Sequence, residues 1–326
     1  MKTEILTLLR ESKEYISGQE LCTKLGVSRT AVWKVMKQLK EEGYEIEAIQ
    51  NKGYRLTGLP EVLSESELSS RIHTKWAGKN LHYFKETGST NTDAKRFAEA
   101  GESHGTLVVA DMQSAGRGRR GRSWQAPFET TISMTIILKP DFAPNRAPML
   151  TLVMALSVAK AMVEITNLDC KIKWPNDIVV NGKKVCGILT EMNAEMDYIH
   201  YVVIGVGINV NLEKFPEDIA ETATSLLLES GHPVSRAQLI QKSMEYFEQD
   251  YETFVRDQNF SGLMQEYGTY LVNKGTPVKV LDPKGEFTGT ARGINEQGEL
   301  LVELEDGSIT AIYAGEVSVR GIYGYV

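Results

Sequence analysis

Apolar positions recur at helical spacing from the first residues. In MKTEILTLLRES, Ile5, Leu8 and Leu9 share one face. SGQELCTKLG follows, opening on Ser17 with Glu20 three residues on, a capping box, and closing at Gly26. Ser28 caps a third helix, RTAVWKVMKQLKEEG, with Val32, Val35, Met36 and Leu39 as its buried stripe and Gly43 as its stop. Two short strand-like runs, YEIEAI and GYRLT, joined through QNK and Gly53, predict a hairpin. Three helices, a tight glycine-containing turn and a hairpin make a winged helix-turn-helix over residues 1–60.

That third helix carries Arg29, Lys34, Lys37 and Lys40, with no acid between Ser28 and Lys40. Its groove-facing set is Ser28, Arg29, Thr30, Trp33, Lys34 and Lys37, placed for phosphates and base edges. A basic amphipathic helix alone would equally suit a small interaction domain with a solvated face. The order of elements favours DNA. One such domain reads a half-site, so repression requires a dimer.

TGLPEVLSES reads as a linker: Thr57, Gly58 and Pro60 end the hairpin, and Ser64 with Glu67 caps the next helix. Over residues 64–270, strand-like runs recur as LHYFKE, TLVVAD, TISMTIIL, CKIKW, DIVV, VCGILTE and YIHYVVIGVGINV. Between them lie a helix starting near Ser89-Thr90-Asn91 and a longer one across APMLTLVMALSVAKAMVEIT. Strands neighbour one another rather than alternating with helices, which predicts an α+β sheet with helices on one face. The run YIHYVVIGVGINV is a candidate dimer edge. Residues 271–326 hold five or six short alternating strands with turns at Pro283-Lys284-Gly285, Asn295–Gly298 and Asp306-Gly307, the pattern of a small SH3-like barrel.

Charge separates these parts. Residues 1–60 carry a net +2 and the remainder a net -9, which marks the N-terminal segment as the polyanion binder. Three cysteines, Cys22, Cys170 and Cys186, show no C-x-x-C spacing and read as reduced core thiols; five scattered histidines give no metal motif. No apolar run reads as long enough to span a bilayer and no signal peptide opens the chain, so a cytoplasmic location is the expectation.

Against the acidic background stands AGRGRRGRSW, residues 115–124, whose core is only glycine and arginine. Gly116-x-Gly118-x-x-Gly121 matches the dinucleotide fingerprint, but SWQAPFETT follows where a helix must open. An RGG-like nucleic-acid segment would be repeated in a tail; this is one copy between two strands. The remaining reading is a mobile loop that folds over a small anionic ligand, with glycines for close approach and arginines for oxygens. GSTN at 88–91, KWPND at 173–177 and NGKKVCGIL at 181–189 add polar groups at strand and helix ends, although each alone is ordinary turn chemistry.

Together, GSTN, ADMQSAGRGRRGRSW, KIKWPNDIVVNGKKVCGILTE and GVGINVN, in this order, resemble the biotin–protein ligases. The preceding winged helix is similar to that of the bifunctional subclass, ligase and biotin-operon repressor. The resemblance implies a central mixed-sheet domain related to class II synthetases, and a Gly/Arg loop that is disordered when empty and closes over biotin and its adenylate. It implies that Ser89, Thr90, Asn91, Gln113, Arg117, Gly118, Arg119 and Lys184 contact biotin, and that Arg122, Trp124, Asn176 and Asn209 hold the nucleotide. It implies ATP with Mg²⁺, a biotin carboxyl carrier protein domain as acceptor, operator DNA, and a homodimer when the adenylate is bound. Joining a carboxylate to a polyphosphate brings anions together, so Arg119 and Lys184 are the expected charge-offsetting groups, assisted by Arg122 and Lys173. Asp177 is expected to orient either Mg²⁺ or the incoming amine. Two other readings stay open: a ligand-sensing transcription factor without ligase activity, and a lipoate-type adenylate-forming ligase.

Overall fold

Ser17 and Ser28 act as helix caps: their hydroxyls accept from the amides of Glu20 and Ala31, at 3.1 and 3.2 Å. They open α2 (Gly18–Leu25) and α3 (Arg29–Glu41), which follow α1 (Lys2–Glu11). Gly26 takes the left-handed conformation that ends α2. Strands β1 (Glu45–Ile49) and β2 (Gly53–Gly58) pair as the hairpin. Val32, Val35, Met36 and Leu39 are buried as expected, while in α1 the buried set is Ile5, Leu6 and Leu9, with Leu8 only partly covered.

The structure is a computed structural model that describes every residue except 13, 59–62, 283–284, 314–317 and 322–324. The expected turn at Pro60 and that at Pro283-Lys284 therefore fall outside the described residues. Two compact units are present, residues 1–73 and 74–326. The first unit runs past the expected linker because α4 (Glu65–Ser69) packs into it. Glu67, 1% exposed, gathers the Arg10 guanidinium, Arg71 and the Tyr44 hydroxyl. A buried carboxylate requires such partners, and that requirement ties α4 to α1.

The second unit is built on a seven-stranded sheet of order β3-β4-β5-β9-β8-β7-β6. Its strands are β3 (Leu81–Thr87), β4 (Leu107–Gln113), β5 (Thr131–Leu138), β6 (Lys171–Lys173), β7 (Asp177–Val180), β8 (Lys183–Ala194) and β9 (Ile199–Asn209). All neighbours are antiparallel except β3 and β4. Its helices are α5 (Thr90–Glu99), α6 (Met149–Thr166), α7 (Leu226–Ser230), α8 (Arg236–Asp257) and α9 (Ser261–Tyr270).

The fold corrects three expectations. Helices cover both faces, not one. Asn91 of α5 bonds Glu191 on β8, whereas Thr151 of α6 bonds the adjacent Thr190, whose side chain leaves the opposite face. Every residue of β5 is buried, which one-sided packing cannot achieve. The proposed dimer edge, β9, is instead an interior strand paired to β5 and β8; the sheet's edges are β3 and β6. Finally, the helical stretch Pro144–Thr166 is long and apolar enough to cross a membrane by composition, but 72% of its 18-residue apolar span is buried inside the protein, as in a core helix packed against β8 and α8.

The C-terminal strands β10 (Pro277–Asp282), β11 (Gly285–Ile294), β12 (Leu300–Glu303), β13 (Ile309–Ile312) and β14 (Ser318–Gly321) form an antiparallel sheet ordered β13-β12-β11-β10-β14. Trp174, fully buried, donates its indole N–H to the Gly298 carbonyl at 3.0 Å and so fastens KWPND to this sheet.

Candidate active site

The floor of the site is β9, and it is bare for a reason. A Cβ on Gly205 would lie 2.0 Å from Asn91 Oδ1, and one on Gly207 2.5 Å from the Trp124 ring. Glycine at both positions lets α5 and the Gly/Arg loop settle directly on the sheet. Asn91 is saturated there: its amide donates to Glu191 at 2.8 Å and its carbonyl accepts from Thr135 at 2.7 Å. Burial pushes the Glu191 carboxyl up, but its hydrogen bonds from Lys95 and Asn91 outweigh that and hold it below the ordinary value. Gln113, ending β4, turns its carbonyl to the Thr90 amide (2.8 Å) and hydroxyl (3.1 Å). The first amide of α5 is thus satisfied by protein, and Ser89 does not cap its own helix.

The Gly/Arg stretch is a hairpin, not a helix start. Trp124 N–H donates to Gly116 C=O at 2.9 Å and Gly118 N–H to Arg122 C=O at 2.7 Å, with a single 3₁₀ turn over Arg119–Gly121 at the tip. This geometry excludes the dinucleotide fingerprint. Gly116 is required by the hairpin, since a Cβ there would stand 2.5 Å from the Trp124 carbonyl oxygen. Asn181 and Gly182, both at positive φ, turn β7 back into β8 and deliver Lys184 opposite the loop.

A narrow recess is lined by Ser89, Thr90, Asn91, Gln113, Arg117, Gly118, Arg119 and Lys184, with Ile188, Leu189 and Val206 as its apolar wall. A wider cavity of about 310 Å³ adjoins it, lined by Arg122, Asp177, Asn209, Lys214, Phe215 and Tyr325 among others. Gly118, Arg119, Trp124, Asn176 and Lys184 border both spaces. At this junction Arg119 donates to Asn176 Oδ1 at 3.0 Å, and Lys184 Nζ lies 2.6 Å from the Asp177 carboxylate. Burial draws the Arg119 guanidinium below its ordinary value, with Asp177 pulling the other way; an arginine stays charged regardless.

Lys173 departs from expectation. It is buried, its Nζ sits 3.5 Å from the centre of the Tyr325 ring, and it lines neither space. Asp177 is likewise engaged, by Lys184 and by the Tyr325 hydroxyl. Sequence reasoning had no signal for Tyr325, Thr135 or Glu191. The glycines of GVGIN were detectable, because glycine inside an apolar strand marks close approach.

On the first unit, Ser28, Arg29, Thr30, Trp33, Lys34 and Lys37 are all exposed. Trp33, at 57% exposure, has no buried role. Gln19 of α2 steadies the Arg29 guanidinium at 2.9 Å.

Known families match three parts of the chain. Residues 83–209 match the biotin/lipoate A/B protein ligase family, residues 2–55 an HTH domain, and residues 275–320 the biotin protein ligase C-terminal domain. The bifunctional ligase/repressor BirA of Bacillus subtilis is 40% identical over 98% of both chains. That of Escherichia coli is 29% identical over 97% of this chain and 96% of its own. Among solved structures, the biotin protein ligase of Aquifex aeolicus in complex with biotin and ATP superposes with a TM-score of 0.67 at 34% identity, covering 74% of this chain and 99% of its own. At 40% identity over nearly its full length to such a protein, the chain belongs to the biotin–protein ligases, among the bifunctional ligase/repressor proteins.

Proposed function

We propose that the recess holds biotin and the wider cavity ATP, with the carboxylate and the α-phosphate meeting between Arg119 and Lys184. What carries this reading is that both cations border both spaces. Gln113 spends its carbonyl on Thr90, which leaves its amide NH₂ to donate, beside the Ser89 hydroxyl, to the neutral ureido ring. Ile188, Leu189 and Val206 cover the ring and valeryl chain. Trp124, Asn176, Asn209 and Arg122 contact the nucleotide.

The biotin carboxylate attacks the α-phosphorus, a C–O–P bond forms, and pyrophosphate leaves. Arg119 and Lys184 offset the charge that gathers on the phosphoryl oxygens. The acceptor lysine, as a free amine, then attacks the acyl carbon and AMP departs. While the loop is closed, water is kept from the mixed anhydride. Arg117 and Gly118 close the recess; Lys173 acts at one remove, through Tyr325. Among the described residues no three His, Cys, Asp or Glu side chains cluster to hold a metal. Asp177 and Asp218 do line the wider cavity, which suits Mg²⁺ carried in on ATP's phosphates. Bound there, Mg²⁺ supplies charge neutralisation.

The acceptor we propose is the biotin carboxyl carrier domain of a carboxylase. The adenylate-bound homodimer would be the operator-binding form, acting in the cytoplasm. The test of the chemistry is exchange of labelled pyrophosphate into ATP, without DNA or acceptor, comparing biotin with lipoate. Biotin-dependent exchange is expected. Exchange with lipoate alone makes the protein a lipoate-type ligase, and biotin binding without exchange makes it a sensor.

A further inference from the structure

One buried ion pair in the second unit is not used by the chemistry above. Arg236, the first residue of α8 and 1% exposed, pairs with Asp111 of β4, 5% exposed. Local structure and stability are weak accounts of it. A cation in the first turn opposes the helix dipole, and a buried ion pair is often no better for stability than apolar residues of the same volume.

Its location is more telling. The β4–β5 ladder ends at Ala110 opposite Ser133, and beyond that pair the strands part to form the segment that carries the Gly/Arg loop. The ion pair spans the fork. From the β4 side, Asp111 accepts from Arg236 and from the backbone N–H of Glu129 at 3.1 Å. From α8, Arg236 also donates to the carbonyl of Thr131, the first residue of β5, at 3.3 Å. Glu129 itself is held at φ +63°, a left-handed conformation that a glutamate adopts only under constraint. Two residues beyond Asp111, Gln113 opens the segment; two residues before Thr131, Glu129 closes it. Arg117, Gly118, Arg119, Arg122 and Trp124 all lie between.

We propose that Asp111 and Arg236 form a clamp on the two roots of the Gly/Arg loop, and that this clamp sets how long the closed loop retains the acyl-adenylate. Both are positioning residues: neither lines the recess or the wider cavity. Retention rests on the ligase reading of the site; the clamping of the loop does not.

Asp111→Asn keeps an acceptor for Glu129 but removes the charge that holds Arg236. Arg236→Lys keeps the charge but replaces the longer, planar guanidinium whose Nη1 reaches both Asp111 and Thr131. In each full-length variant, two rates are measured after a thermal melt shows cooperative unfolding: trypsin nicking after the loop arginines, and release of biotinyl-adenylate from preloaded protein. Losing a charge-assisted hydrogen bond at a hinge predicts about tenfold faster nicking and release, or more. A folded variant that nicks and releases at wild-type rates overturns the clamp and leaves the pair a purely structural one. If the wild type forms no adenylate, the ligase reading fails, and nicking alone still decides the clamp.

Discussion

One methyl group is enough to spoil the floor of the site. On Gly205 it would collide with Asn91 Oδ1, and Asn91 has nowhere to go without leaving Thr135 and Glu191. Overpacking of this kind costs about 1–3 kcal/mol, so Gly205→Ala should weaken biotin binding roughly tenfold or more while the fold persists, as titration calorimetry would read. Unchanged affinity would mean that Asn91 is free to move. The thiols give a second check at this scale. Burial pushes Cys170 up to about 12 and Cys186 higher still, whereas Cys22 is only partly covered. At pH 8 a thiol reagent should therefore modify Cys22 alone in the native protein. A raised thiol value means that folding disfavours the thiolate, so this contribution to stability is intact below the ordinary value near 9 and fades as pH rises towards 12.

At the scale of elements, local chemistry decides most of the outcome. Ser17 and Ser28 cap where a Ser with a downstream amide partner should, and Gly26 and Asn181-Gly182 turn where their backbone freedom allows. Ser17→Ala should lower the unfolding free energy of the N-terminal unit by about 1 kcal/mol in denaturant titration; an unchanged value would put that helix start elsewhere. These elements were legible because each signal lies within a few residues. The seven central strands were legible for the same reason, as apolar runs. The sheet order was not, since it depends on pairings such as β5 with β9, far apart in sequence. Continuous burial along β5 and β9 is the pattern of a sheet covered on both faces, yet a run of apolar residues alone does not say which helices do the covering. Helix α8, with Leu239, Ile240, Met244, Phe247, Tyr251 and Phe254 buried, was not among the elements read from the sequence; it packs on α6. The Asp111–Arg236 pair, 125 residues apart, has no local signature at all.

For the whole molecule, charge and chemistry are divided between two units. The basic helix of residues 29–41 belongs to the first unit, and both the recess and the wider cavity belong to the second. Lys34→Ala should weaken operator binding about equally across sequences and reduce the salt slope by about 0.9 for each phosphate no longer neutralised, while pyrophosphate exchange stays unchanged. An altered exchange rate would mean that the two activities are not separable in this way. The motifs GSTN, the Gly/Arg loop, KWPND and GVGIN converge on one recess because GSTN opens α5, the loop joins β4 to β5, KWPND joins β6 to β7, and GVGIN lies in β9 between β5 and β8. Lys173, the first residue of KWPND, stands one layer back from the site: its side chain packs on Tyr325, which lines the wider cavity.

The proposed role of Arg119, at the junction of the two spaces, is to hold the reactive intermediate until an acceptor arrives. The direct measurement is the half-life of biotinyl-adenylate on the protein after biotin, ATP and Mg²⁺ are supplied and excess substrate is removed, in the wild type and in Arg119→Gly. A long-lived complex is expected in the wild type, with early release and indiscriminate labelling of bystander lysines by the variant. Equal retention in the two proteins would contradict it.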